Sequence, residues 1–300
     1  MHTGEAETKL RQGLQEIYGE GESGAMVSLI MEHLTGNKWP YRPFENELLF
    51  NKEQEQRLKD ILQRLQHQEP LQYILGEAWF YNMKLFVTPD VLIPRSETEE
   101  LVLWVIQDVE QLGLNVFERQ HAEADVTTQL KMLDIGTGSG CIALALKKQM
   151  PKAEVWGCDI SEGALNIARR NGAELDVRVD FQGIDILDEA QQRFLPTVDI
   201  IVSNPPYIPV LEKDSMPRNV VQHEPHVALF VPNNDALCFY RAIAQFGKKR
   251  LYDKGAIYLE IHENLGKDVI TLFQLEGYET IMKKDMQGKD RMVKAWKSLL

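Results

Sequence analysis

Lys131-Met132-Leu133-Asp134-Ile135-Gly136-Thr137-Gly138-Ser139-Gly140-Cys141-Ile142-Ala143-Leu144-Ala145-Leu146 is the stretch that decides the fold. Its first five residues read as a short buried strand, its last six favour a helix, and alternate glycines join them. A strand that turns through glycines into a helix opens an α/β unit, and the alternation continues downstream. A second strand covers Glu154–Cys158, with a helix through Ala164-Leu165 and Ile167-Ala168. Val177, Val179 and Phe181 alternate as a third strand, and Asp199–Val202 gives a fourth. Residues 208–232 carry few regular signals and read as a long loop. A helix over about Asp235–Leu251 precedes a fifth strand, Gly255–Ile261, and another helix spans Asn264–Leu275. Tyr278–Lys283 and Arg291–Trp296 make a closing pair. Strands alternating with helices predict a doubly wound, mostly parallel α/β sheet of seven strands.

Upstream, residues 1–75 read as a small all-helical domain. Leu10, Leu14 and Ile17-Tyr18 recur at helical spacing; Ser23 is placed as the cap of a second helix carrying Met26-Val27, Ile30-Met31 and Leu34, which Gly36 stops. Pro40 and Pro43 break the chain. A further helix starts near Asn51, with Leu58, Ile61-Leu62 and Leu65 on one face, and Glu69-Pro70 opens a shorter helical turn. Residues 76–92 read as a hairpin linker in which Trp79-Phe80-Tyr81 and Leu85-Phe86-Val87 flank Asn82-Met83-Lys84. The α/β domain is then 93–300. Ser96 and Glu99 have the spacing of a capping box ahead of Leu101, Val102, Trp104 and Val105. Gln107 to about Gln129 is polar and is expected to be a helix end plus a surface connection.

The chain has 33 Lys and Arg against 45 Asp and Glu, a net charge of −12. Such a field disfavours non-specific contact with DNA or RNA, because counterion release needs a cationic footprint. The three cysteines follow no ligand spacing, so neither a disulfide scaffold nor a metal site is expected. No apolar run approaches the roughly 18 residues of a membrane span, and the first residues do not resemble a secretory signal. No membrane association is expected, and the cytoplasm is the expected compartment.

Gly136-x-Gly138-x-Gly140 lacks the lysine of a P-loop and departs from G-x-G-x-x-G, so it matches neither nucleotide fingerprint well. Its glycines nevertheless let a ligand lie against the backbone. Asp159, at the end of the second strand, can accept both hydroxyls of a ribose. Asp185, beyond the third strand, can receive the amino group of adenine. An adenosine pocket leaves NAD and S-adenosylmethionine as candidates. The fourth strand runs into Ser203-Asn204-Pro205-Pro206-Tyr207, where two prolines end ladder pairing and fix Asn204 at the carboxyl edge of the sheet. Hydride transfer finds no partner there, since Leu211 stands four residues after Tyr207 where a lysine would be needed. Methyl transfer asks mainly for alignment of a nucleophile. The Asn204 side-chain oxygen and the Pro205 carbonyl can accept both hydrogens of a planar –NH2 group, and Tyr207 can pack on its face. Acceptors that favour increasing pyramidal character at nitrogen would act on the transition state.

The α/β domain resembles the class I S-adenosylmethionine-dependent methyltransferases. Asn204-Pro205-Pro206-Tyr207 is similar to the motif shared by DNA adenine-N6 methyltransferases and protein glutamine-N5 methyltransferases. Glu69-Pro70-Leu71-Gln72-Tyr73-Ile74-Leu75-Gly76, Leu92-Ile93-Pro94-Arg95 with Glu97-Thr98-Glu99, Glu224-Pro225 with Ala228-Leu229, and Gly288-Lys289-Asp290-Arg291 resemble the second group, the release factor methyltransferases of the PrmC/HemK family. That resemblance implies that Gly136, Thr137, Gly138, Ser139, Gly140 and Asp159 hold S-adenosylmethionine. Asp185 and Ile186 would sit at its adenine and Asn204 at its reactive end, with S-adenosylhomocysteine as product. It implies that Asn204, Pro205, Pro206 and Tyr207 receive a glutamine side chain, with Asn204, Pro205 and Tyr207 carrying the catalysis. The implied partner is a class I peptide chain release factor, modified at its Gly-Gly-Gln glutamine and contacted by the helical domain. The enzyme is expected to be a monomer and not to bind nucleic acid directly. Two departures stand out. Ser96 replaces a proline, and either residue can start a helix. Ile261-His262-Glu263-Asn264 replaces a segment in which glycine commonly follows the isoleucine, although amide methylation needs no histidine base. A DNA adenine-N6 methyltransferase is the alternative. It would need a cationic route for DNA and room for a flipped base, and the charge balance weighs against it.

Overall fold

The computed structural model describes residues 1–39, 48–112 and 129–297. The expected break at Pro40 and Pro43 and most of the expected connection up to Gln129 lie outside these residues. The chain forms two compact units, Met1–Glu77 with Pro217–His223, and Ala78–Met216 with Glu224–Leu300.

In the first unit, α1 (Thr3–Thr35) is interrupted at Gly19, whose φ of 74° and ψ of 172° are open to a residue without Cβ. Ser23 does not cap the following segment. It lies inside it, buried, with Oγ donating to the Glu20 carbonyl. Gly36 ends α1 in the left-handed conformation at φ 72°. α2 (Lys52–Gln66) starts with a reciprocal cap: Gln54 N donates to Asn51 Oδ1 at 2.8 Å, and Asn51 N donates to Gln54 Oε1 at 3.0 Å. Its Leu58, Ile61 and Leu65 bury against Leu10, Leu14 and Ile30 of α1. α3 (Leu71–Leu75) follows Pro70 and ends at Gly76.

Between the helices and the sheet, β1 (Glu77–Phe80) and β2 (Met83–Phe86) form a hairpin. Its turn is Tyr81-Asn82, with φ of 48° and 58°, tighter than the expected turn over Asn82–Lys84. Two left-handed residues match the twist of the strands they join. α4 (Ser96–Leu112) begins at Ser96 itself, so the capping box does not form. Ser96 occupies the first helical position that proline also suits, and the Glu99 carboxylate accepts instead from Tyr81 N at 2.9 Å.

β3 (Lys131–Ile135), α5 (Cys141–Gln149), β4 (Glu154–Asp159), α6 (Glu162–Glu174), β5 (Asp180–Gly183), α7 (Glu189–Gln192) and β6 (Val198–Ser203) follow in alternation. β5 starts later than the Val177–Phe181 alternation predicts. Val177 and Val179 pack on the core from the preceding segment, so their apolar character reflects contact and not ladder pairing. The stretch read as a long loop contains short elements: β7 (Ile208–Pro209), a 3-10 turn at Val210–Ser215, α8 (Arg218–His223), a second 3-10 turn at His226–Ala228, and β8 (Phe230–Val231). α9 (Cys238–Arg250), β9 (Leu251–Glu260), α10 (Gly266–Leu275), β10 (Tyr278–Lys284) and β11 (Asp290–Lys297) complete the fold.

The seven-stranded sheet has the order β10-β11-β9-β6-β3-β4-β5. β9, β6, β3, β4 and β5 are parallel, and β11, lying between β9 and β10, pairs antiparallel with both, so it alone runs against the rest of the sheet. One apolar cluster joins α4, α5 and α6 to the sheet, and a second joins α9 and α10 to it. This is the mostly parallel, doubly wound sheet expected. Among the described residues no helix is long and apolar enough to cross a membrane.

Candidate active site

The order of the strands reverses at β3, which continues to β4 and β5 on one side while β6 and β9 lie on the other. Loops leaving adjacent strands in opposite directions open a crevice at their carboxyl ends. The register puts the candidate residues in one row. Ile135 pairs with Cys158 and with Ser203, Ser203 with Leu259, and Asp159 with Gly183. One residue further along, Asp159, Gly136, Asn204 and Glu260 stand at the same level on neighbouring strands.

The glycine loop has two faces. Gly136, Gly138 and Gly140 all have positive φ, at 71°, 53° and 82°. Gly136 and Gly138 line a cavity of about 260 Å³, and a Cβ on Gly138 would meet nothing within 4 Å. Gly140 turns away, and a Cβ there would stand 3.1–3.2 Å from Leu144, Ala168 and Phe181. Thr137 points inward and donates to Asp134 Oδ2 at 2.7 Å, and the same oxygen accepts from Ala143 N at 3.2 Å. Asp134 is buried, its Oδ1 has no partner, and burial pushes its carboxyl up to about 7. Ser139 is buried as well, and its carbonyl accepts from Asn171 Nδ2 at 2.9 Å. Thr137, Ser139 and Gly140 therefore shape the loop from behind.

Asp159 accepts from Gly138 N on Oδ2 and from Ser161 N on Oδ1, each at 2.9 Å, which ties the glycine loop to the start of α6. Each oxygen keeps a lone pair for a further donor. Burial raises its pKa, against the pull of these hydrogen bonds. Asp185 and Ile186 line the same cavity, and Asp185 Oδ1 accepts from Leu187 N at 2.8 Å. Ile160 and Leu187 add apolar walls, although they are 59% and 48% exposed. A cavity with two carboxylates between aliphatic walls fits a nucleoside.

Asn204, Pro205 and Pro206 close the other end of this cavity, while Tyr207 lies outside its lining. Asn204 Nδ2 donates to Thr98 Oγ1 at 3.1 Å, and Thr98 Oγ1 donates to Glu260 Oε2 at 2.6 Å. The Tyr207 hydroxyl donates to Glu260 Oε1 at 3.1 Å, and Tyr240 donates to the Glu260 carbonyl at 3.2 Å. Burial raises the pKa of Glu260, opposed by the two hydroxyls and by the charge of Arg291. Burial and the neighbouring Glu260 push the Tyr207 phenol upward. Because Thr98 gives its proton to the carboxylate, it receives one from Asn204, which leaves Asn204 Oδ1 for an incoming donor.

Around this core, Arg95 pairs with buried Glu224 at 2.5 Å, and Ile93 N donates to the same carboxylate at 3.4 Å. His262 Nε2 lies 3.2 Å from Glu212 Oε2, its Nδ1 accepts from Asn264 N, and its ring stands edge-on to Tyr207 at 5.9 Å. His262 thus braces Tyr207 and the turn that follows it. Sequence reading did not find the roles of Thr98 and Glu260. The available signal was that Glu260 is a charged residue closing an apolar strand at the edge that also carries Asp159 and Asn204.

The chain matches the methyltransferase small domain family over residues 116–224 and the PrmC N-terminal domain family over residues 5–76. It is 38% identical over 290 residues to the release factor glutamine methyltransferase of Flavobacterium psychrophilum, covering 96% of each chain. It is 41% identical over 287 residues to the release factor glutamine methyltransferase of Bacteroides thetaiotaomicron, covering 95% of this chain and 97% of the relative. Among solved structures, the hMettl16 catalytic domain in complex with a 3'UTR hairpin shares the fold, with a TM-score of 0.52, 16% identity and 84% of each chain covered.

Proposed function

The chain belongs to the release factor glutamine methyltransferase family, and from that premise we propose how its residues carry out methyl transfer to the glutamine N5 of a class I release factor. S-adenosylmethionine supplies a methyl group made electrophilic by its sulfonium. Gly136, Gly138, Asp159, Asp185 and Ile186 would hold it in the cavity they line, with Thr137, Ser139 and Gly140 fixing the loop behind. The spare lone pairs of Asp159 suit ribose hydroxyls, and Ile160, Ile186 and Leu187 offer apolar cover to a base.

The observation that carries the reading is the fixed orientation of Asn204. Its Nδ2 is committed to Thr98, so Oδ1, with the Pro205 carbonyl, is available to accept the two hydrogens of the glutamine amide. Two acceptors hold the nitrogen in line for attack and favour it increasingly as it loses amide conjugation and gains positive charge. Pro206 stiffens the turn, and Tyr207 borders the acceptor with its hydroxyl anchored on Glu260.

The division of labour we propose is residues 1–75 for recognition of the release factor, 76–92 as hairpin linker and 93–300 as the catalytic domain. The acceptor is the glutamine of the Gly-Gly-Gln loop, and the cytoplasm, where release factors act, is the compartment. The test is incubation with S-adenosylmethionine and a class I release factor, followed by peptide mass mapping. One added methyl group on that glutamine is expected. Equal methylation of a release factor carrying Gln→Ala at that position would overturn the assignment.

A further inference from the structure

Behind Asn204 lie two polar side chains that line no part of the cavity. Glu260, at the tip of β9, is 2% exposed and receives the hydroxyls of Thr98 and Tyr207 on its two oxygens. Thr98, on the first turn of α4, is also 2% exposed and accepts from Asn204. Burying a carboxylate is costly, and packing alone would be served as well by an apolar pair of the same shape. Arg291 on β11 offsets part of that cost, yet its Nε is bound to Asp285 at 3.1 Å. What distinguishes this side chain from an apolar one of the same shape is its two acceptor oxygens, each holding one hydroxyl.

We propose that Glu260 is a positioning residue that acts on Asn204 through Thr98, orienting its amide and polarising Oδ1 toward the acceptor nitrogen. The chain of donors runs one way, from Asn204 Nδ2 to Thr98 Oγ1 to Glu260 Oε2. With Oδ1 turned toward Thr98 instead, the threonine oxygen would face two acceptors with one proton, so a Glu260 oxygen that accepts from Thr98 selects the orientation that leaves Oδ1 free. A hydrogen bond donated by Nδ2 also draws on the charge-separated resonance form of the amide and raises electron density on Oδ1. In a poorly polarisable interior, successive bonds of such a chain strengthen one another. The gain is largest when positive charge develops on the methylated nitrogen, so it belongs to the transition state more than to substrate binding. The same carboxyl group anchors Tyr207, so one side chain sets two residues of the acceptor site.

This inference rests on the reading that Asn204 receives the acceptor amide, and the experiment separates the two. Thr98→Val, Thr98→Ser, Glu260→Gln and Asn204→Ala are made in the full chain. For each, kcat and KM are measured with a class I release factor, and S-adenosylmethionine affinity is measured by calorimetry. Thr98→Val and Glu260→Gln are expected to lower kcat by roughly 10- to 100-fold, the range carried by outer-layer partners of metal ligands. KM and cofactor affinity should stay within about threefold, the pattern of an interaction made only in the transition state. Thr98→Ser, which keeps the hydroxyl, should restore kcat to near the parent value. If Asn204→Ala is inactive while Thr98→Val and Glu260→Gln keep parental kcat, the inference fails and the acceptor reading survives. If Asn204→Ala keeps parental kcat, the acceptor reading itself fails. Should Thr98→Val not fold, Glu260→Gln decides alone. A loss of cofactor affinity in step with kcat, or a serine variant as impaired as the valine one, would reduce both residues to structural support.

Discussion

Asn204 has one free acceptor because its amide nitrogen is already spent on Thr98. Replacing it by alanine removes that acceptor while leaving intact Gly136, Gly138 and Asp159, which line the same cavity and are proposed to hold the cofactor. We therefore expect Asn204→Ala to lower kcat by roughly 100- to 1,000-fold, as loss of one preorganised transition-state partner does. Cofactor affinity measured by calorimetry should change far less, and equal loss of both would refute the clamp. At this scale the site was legible where chemistry follows from chain position. Asn204 stands between an apolar strand and two prolines, and Asp159 ends a strand. Thr98 and Glu260 were not legible in the same way. Their hydrogen bond joins residues 162 positions apart, and no local pattern records such a pairing.

Among the elements, the turn from β3 to α5 shows how one motif divides its labour. Its composition marks a ligand-binding turn, but backbone geometry sends Gly136 and Gly138 to the cavity and Gly140 into the packing of α5 on α6. Asp134 underlies the turn, and its protonation is coupled to stability. Burial raises its carboxyl from an ordinary value of about 3.9 to about 7, so the folded chain binds this proton more tightly than the unfolded one. The resulting stabilisation is complete below about pH 4 and is lost as pH rises through about 7. An Asp134→Asn variant cannot ionise, so its melting temperature relative to the parent should climb between pH 5 and pH 8. The free-energy difference across the whole window is on the order of a few kcal/mol. Parallel melting curves at the two pH values would exclude the coupling. Other elements escaped the sequence because they are too short for periodicity to register, such as the two-residue strands β7 and β8 and the six-residue α8. β5 was displaced for another reason, since Val177 and Val179 are apolar by packing outside the ladder.

For the whole molecule, the excess of acidic residues sets what it can meet. A net charge of −12 repels nucleic acid phosphates at long range and leaves a protein acceptor as the favoured partner. In analytical ultracentrifugation at micromolar concentration we expect a single-chain species whose profile duplex DNA leaves unchanged. Co-sedimentation with DNA at moderate salt would count against a protein-only substrate.

By itself the sequence determined the alternation of the longer strands and helices, the helical character of the described residues before the hairpin, the glycine turn and the position of the Asn204 motif. Each of these is written in local periodicity, in glycine and proline, or in a polar residue ending an apolar run. Only the tertiary structure decided which glycines face the cavity, that Pro217–His223 belongs with the helical unit, and that Glu260 stands level with Asn204. Those facts depend on strand register and on contacts between distant parts of the chain. The sequence shows each residue beside its chain neighbours, whereas the sheet puts Asp159, Gly136, Asn204 and Glu260 side by side from four different strands.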